Sequence, residues 1–214
     1  EFKYPGVYSL NKGDRLLDLL ERAGGLNENA YTPGAIFTRE KVAAQQEEAF
    51  KRNADDLENT IVNIITLGNI SVDEFTFVPL SKLINRLRTT KPIGRQVIDF
   101  SPLSMKSNAS LNFQLTGGDT VHVPRRPESV SVAGEVLNST THRYDSELSI
   151  DDYLELSGGL TNEADASRIL IVKPNGQSVL YKKKLFSSAS NNILPGTTIV
   201  VSRDTRPFDA IQLT

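Results

Sequence analysis

Slid against itself at an offset of 134 positions, the sequence aligns 1–39 with 135–173 without a gap. Glu1, Asp18, Leu20, Glu21, Gly24, Gly25, Leu26 and Ala30 meet Glu135, Asp152, Leu154, Glu155, Gly158, Gly159, Leu160 and Ala164. Apolar partners coincide at Leu16/Ile150, Leu19/Tyr153, Ala35/Ile169, Ile36/Leu170 and Phe37/Ile171. One supersecondary unit is used twice, so any fold for this chain has to accommodate the same local frame in both places.

Each copy reads as a short extended segment, a helix, a double glycine, a loop and a β-rich strand. In the second copy, Ser149 and Asp152 have capping-box spacing, Asp151 and Asp152 sit where the helix dipole favours carboxylates, and Ile150, Tyr153 and Leu154 form the buried face. Gly158 suits the left-handed residue that ends a helix, Gly159 allows a close reversal, and Leu160 packs back on the last turn. Beyond it, Asn175-Gly176 between aliphatic runs predicts a tight hairpin turn with positive φ. Thr198 to Ser202 and Val121 to Val123 read as closing strands, and Ser129 to Val136 as the second copy's opening strand. The first copy has no counterpart of that opening strand, since it starts at the residue matching Glu135.

Between the copies the period changes. Phe50, Ala54, Leu57, Ile61 and Ile64 recur at spacings of four and three among charged residues, which predicts a long amphipathic helix. This pattern can pair with another chain as a coiled coil, but it lasts barely two heptads, and packing on a neighbouring helix is the preferred reading. Ser71 and Glu74 have capping-box spacing ahead of a second helix carrying Leu80, Leu83, Ile84 and Leu87. Pro79 is expected to divide this region or to occupy a first helical position. "GRQVIDF", Gly94 to Phe100, returns to strand composition.

Composition narrows the function. A net charge of −2 over 214 residues gives no basic footprint for nucleic acid or anionic lipid. The chain has no cysteine, so disulfides, thiolate metal sites and cysteine nucleophiles are excluded. No apolar run reaches the roughly 20 residues that span a bilayer. The abrupt start at "EFKYPG" reads as the edge of a longer protein, with any export or anchoring segments expected outside it.

Catalytic patterns are weak. The two histidines, His122 and His142, lack flanking ligands at metal spacing and are read as non-catalytic. Asp55/Asp56 and Asp151/Asp152 are adjacent on helices and diverge by about 100°, so neither pair faces one glycosidic bond. The double glycine follows a helix, whereas a phosphate cradle precedes one. "YKKKLF", Tyr181 to Phe186, is read as a lysine-guarded strand edge rather than a polysaccharide or headgroup contact. Tyr8, Asn27, Asn29, Tyr31, Thr161 and Asn162 lie in or near the double-glycine loops and are candidate glycan contacts. Arg125 and Arg126, at the join of the copies, are candidate interface residues.

Two strand–helix–double-glycine units, the "GEVxN" opening at Gly134 to Asn138, "PGVYSL" at Pro5 to Leu10, "GRQVIDF" and the junction "GGDTVHVPRRPESVSVAGEV" together resemble the polysaccharide export proteins of Gram-negative bacteria, which carry soluble-ligand-binding β-grasp (SLBB) domains. The second copy departs from the pattern at Ser139-Thr140, where the first has Pro5-Gly6, and at Thr197, where the first has Asp119. The resemblance implies an α+β fold of two β-grasp domains. The first, 1–124, lacks its opening strand and has a helical insertion at about 41–92; the second is 129–214. It further implies a non-enzymatic, cofactor-free periplasmic module of an outer-membrane-associated conduit for capsule or exopolysaccharide. Expected partners are polysaccharide, further copies of itself and an inner-membrane polysaccharide co-polymerase, with membrane attachment through segments outside this sequence. Rival readings are a small-ligand or glycan receptor and a structural assembly adaptor.

Overall fold

The computed structural model describes the backbone of residues 1–68, 74–181 and 193–204, and side chains within those ranges except at 68 and 74–77. In chain order the elements are α1 (Leu16–Arg22), β1 (Ile36–Thr38), α2 (Glu40–Gly68), α3 (Glu74–Thr89), β2 (Arg95–Gln96), α4 (Pro102–Ser107) and β3 (Thr120–His122). These are followed by β4 (Ser129–Gly134), β5 (Thr140–Arg143), α5 (Ile150–Leu156), β6 (Ala164–Val172), β7 (Ser178–Leu180) and β8 (Thr198–Arg203). The class is α+β, as the pattern implied.

The repeat is reproduced bond for bond. Helices α1 and α5 occupy matching positions. Phe2 bridges Leu26 as Val136 bridges Leu160. After each helix, the Gly25 N–H donates to Leu20 O and the Gly159 N–H to Leu154 O, both at 2.9 Å. The opening segment is then tied to the double glycine: Tyr4 N–H to Ala23 O and Lys3 N–H to Gly25 O in one copy, Asn138 N–H to Ser157 O and Leu137 N–H to Gly159 O in the other. All four glycines have φ between 74° and 85°, a region that side-chain-bearing residues avoid. The lock uses main-chain atoms only, which is why it tolerates different side chains in the two copies.

The chain divides into two compact units. Among the described residues, one comprises Glu1–Ile36, Val97–Gln114 and everything from His122 onward. It holds a five-stranded mixed sheet ordered β5-β4-β8-β6-β7, with β4 and β8 parallel and the other pairs antiparallel. Alternate residues of β4 and β8 (Val130, Val132, Ile199 and Val201) turn inward and meet Ile150, Tyr153 and Leu154 of α5 in one buried cluster. Burying each of these side chains stabilises the unit by about 1.5–3 kcal/mol. Helix α5 starts at Ser149, whose hydroxyl accepts from the Asp152 N–H at 3.2 Å while the Asp152 carboxylate accepts from the Ser149 N–H at 2.7 Å. This is the capping box expected from the spacing.

The second unit is Phe37–Gln96 with Leu115–Val121. Its strands run β2-β1-β3. Helices α2 and α3 lie between β1 and β2, where the second copy has only Lys173–Gln177 between β6 and β7. α2 packs on α3, with Ala54 and Ile84 buried in the seam. Arg88 ties α3 to α2, donating to Asp55 at 2.6 Å and also to Glu58. The neighbour-helix reading of the heptad-like pattern therefore holds.

Two local expectations are corrected. Pro79 lies inside α3, neither dividing the region nor opening the helix. The strand read over Gly94–Phe100 shrinks to Arg95–Gln96: Gly94 is at φ 68°, and among the described residues the pairing with β1 runs only through Arg95 and Gln96. The hairpin expected at Asn175-Gly176 is present, joining antiparallel β6 and β7, and Gly176 has φ 88°. Its N–H bonds Lys173 O, and Lys173 N–H bonds Gln177 O, both at 2.8 Å, so Pro174-Asn175-Gly176 is a three-residue loop closed by a left-handed glycine. Helix α4 was not foreseen. The Ser71/Glu74 capping box and residues 182–186 of the basic run lie outside the described side chains.

Candidate functional site

The first unit contains a cleft of about 770 Å³ where the first copy's loop meets the join between the copies. The loop after Gly25 delivers Asn29 and Tyr31; the join delivers Arg125 and Arg126; the end of β5 delivers Arg143 and Tyr144. Main-chain bonds fix this layout, since Tyr31 N–H donates to Pro124 O at 2.9 Å and Ala30 bridges Arg125.

Tyr31 is only 7% exposed, and its hydroxyl has no hydrogen-bond partner among the described residues. Burial pushes its pKa up to about 12 against the opposing pull of Arg126, so the hydroxyl keeps its proton at any physiological pH. The guanidinium of Arg126 lies 5.9 Å from the centre of the Tyr144 ring, a cation–π distance. Arg125 is held by Glu1 at 2.6 Å, and that bond keeps the Glu1 carboxyl below its ordinary value. Glu28 and Glu128 also line the cleft.

Of the residues singled out in the sequence, Asn29, Tyr31, Arg125 and Arg126 meet here, and the others do not. Tyr8 donates to Tyr4 O and lies beside Arg22. The Asn27 amide donates to Glu1 Oε2 at 3.4 Å, and at the matching position the Thr161 hydroxyl donates to Glu135 Oε2 at 3.1 Å. Both side chains brace the repeat. Asn162 is exposed away from the cleft's lining residues. Arg143 and Tyr144 were missed because nothing in their local sequence marks the end of β5 as facing another loop.

Four of the residues weighed for catalysis, His142, Asp55, Asp151 and Asp152, have structural partners. His142 Nε2 lies 2.8 Å from the fully buried Ser157 hydroxyl at the end of α5. Asp55 pairs with Arg88, Asp151 accepts from the Tyr181 hydroxyl at 2.8 Å, and Asp152 caps α5. Among the described residues no cluster of three or more His, Cys, Asp or Glu is placed to hold a metal ion, and no helix is long and apolar enough to cross a membrane.

The comparisons with known proteins bear on the same two stretches. The SLBB domain model matches residues 1–40 and 129–181. Two Escherichia coli proteins, each described as polysialic acid transport protein KpsD, are 28% identical to the chain over 100 residues. That alignment covers 47% of this chain and 17% of each relative, so the chain spans less than a fifth of the relatives' length. Both copies of the repeat are therefore similar to the SLBB domain, and the chain is similar to polysialic acid transport proteins, in line with the resemblance that its motifs carry.

Proposed function

We propose that this chain is a non-enzymatic, periplasmic module of a polysaccharide export apparatus, made of two β-grasp copies at 1–124 and 129–214. The first copy is interrupted by a helical insertion at about 41–92. In this reading the copies help to build an oligomeric conduit that carries capsule or exopolysaccharide towards the outer membrane. It docks towards an inner-membrane co-polymerase and attaches to the membrane through segments outside this sequence.

The observation that carries the reading is the twofold use of one main-chain lock in the two stretches that match the SLBB model. A rigid frame repeated along a chain suits stacked layers of a ring better than it suits a single catalytic centre. The likeness to polysialic acid transport proteins supplies the cargo class.

Deleting the gene in its host and measuring polysaccharide at the surface and in the periplasm tests this. Surface polysaccharide is expected to fall and to return with the intact gene, but not with a gene lacking 129–214. Unchanged surface polysaccharide, in a strain without a second exporter, would sink the reading.

One observation favours a second reading, a glycan receptor. The cleft of about 770 Å³ lies within the size range of binding pockets and has an unpartnered tyrosine hydroxyl in its wall.

A further inference from the structure

A buried hydroxyl without a partner costs about 1–3 kcal/mol in lost hydration unless something supplies the missing bond. Tyr31 is such a group, and it lines a cleft rather than a sealed core. Two guanidiniums open onto the same space. Arg126 and Arg143 are exposed and have no carboxylate partner among the described residues, unlike Arg125, which Glu1 holds. Arg126 and Tyr31 line the same cleft. The Tyr144 ring adds an apolar face beside them.

We propose that this cleft binds an acidic sugar residue of a polysaccharide, with Arg126, Arg143 and the Tyr31 hydroxyl donating to its carboxylate and the Tyr144 ring packing on the sugar. The saccharide class rests on the export reading; the anionic group rests on the side chains. Guanidinium forks match carboxylate geometry, and the bonds they make are charge-assisted. Glu28 and Glu128 supply acceptors for sugar hydroxyls and repel a compact, partly doubly charged anion more strongly than a singly charged sugar carboxylate. This mixture of donors and acceptors suits a polyol with one carboxylate better than inorganic phosphate. It also keeps the cleft from being strongly positive, so binding is weak enough for cargo that has to move on.

Titrating the 214-residue chain with trigalacturonic acid, maltotriose and inorganic phosphate tests the assignment. Trigalacturonate is expected to saturate with a Kd of about 0.1–1 mM, an affinity of roughly 4–5.5 kcal/mol. Maltotriose and phosphate are expected to bind at least about tenfold more weakly. Arg126→Gln and Arg143→Gln should each weaken trigalacturonate about fivefold or more. Tyr31→Phe should weaken it about threefold or more while leaving Tm unchanged or raised, which separates lost binding from lost folding. Absence of trigalacturonate binding at 10 mM, equal binding of maltotriose or phosphate, or unchanged binding in both arginine variants would each overturn the proposal. The gene deletion keeps the two ideas apart. Loss of surface polysaccharide with no cleft binding fells this site and leaves the export reading standing. Cleft binding with unchanged surface polysaccharide does the reverse.

Discussion

A tyrosine hydroxyl inside a protein either finds partners or carries a free-energy cost, and this chain has one of each. Tyr153, fully buried under the five-stranded sheet, accepts from the Asp145 N–H at 2.8 Å and lies 3.3 Å from Asp145 O. Tyr31 has no such bond. Removing the two oxygens is therefore expected to have opposite effects. Tyr153→Phe should lower stability by about 1–2 kcal/mol, because it strands a backbone donor, while Tyr31→Phe should be neutral or stabilising. Urea denaturation of both variants checks this, and equal losses would contradict it. The sequence named Tyr31 because of its loop and marked Tyr153 as core, both from spacing. It could not show which hydroxyl would be satisfied, because the partner of Tyr153 depends on where the β5–α5 connection passes. The same holds for His142, whose role beside buried Ser157 comes from pairing between β4 and β5 that no local pattern encodes.

Glycine and charge act at the level of elements. Gly158 and Gly159 look interchangeable in the sequence, yet a Cβ on Gly158 would meet Leu137 Cβ at 3.0 Å, and one on Gly159 would meet nothing within 4 Å. Both sit at positive φ. Gly159→Ala should cost about 1–2 kcal/mol from backbone strain alone, and Gly158→Ala should cost about 1 kcal/mol more from crowding. Thermal melts that rank them the other way would refute this.

The closing strands differ in a second way. In the first copy, Arg39 grips Asp119 through two bonds, at 2.8 and 2.6 Å, and Thr116 N–H adds a third at 2.8 Å. Burial alone would raise the Asp119 carboxyl, but Arg39 and Thr116 outweigh it and hold it below its ordinary value. A lowered carboxylate adds stability that is present above its unfolded value near pH 4 and is lost as pH falls through the lower folded value. Asp119→Asn should thus cost about 2 kcal/mol at pH 7, with the gap to the parent closing below about pH 4. A gap that stays constant with pH would argue against the pair. In the second copy Thr197 stands in place of Asp119, and Lys173, which matches Arg39, bonds the Gln177 side chain at 3.0 Å instead. Helix limits were legible because capping and glycine spacing are local. The hairpin at Pro174-Asn175-Gly176 was legible in its dipeptide, but the three-residue length of its loop was not, because strand register sets that length.

At the scale of the molecule, stability should be uneven. The sheet and α5 enclose a continuous buried cluster, whereas α2 and α3 have only Ala54 and Ile84 buried among the described side chains and leave Val62, Ile64 and Leu67 more than half exposed. Hydrogen exchange should therefore be slowest in β4 and β8 and faster along most of α2 and α3, and uniform protection would contradict this. The repeat, the class and the presence of two helices between the copies could be read from self-similarity at an offset of 134 positions and a change of period. The cleft could not, because it forms where a loop of one copy meets the join and the end of β5.

The main-chain lock also bears on how such a chain can be altered. Since its bonds are made by backbone atoms on either side of a double glycine, the strand that follows ends in a permissive port. One molecule already has two fittings there, a two-helix arm after Arg39 and a short turn after Lys173. Exchanging the fittings, or grafting a foreign arm at Lys173–Gln177, leaves every bond of the lock in place. New length can therefore enter this frame at a site where the frame has nothing to lose.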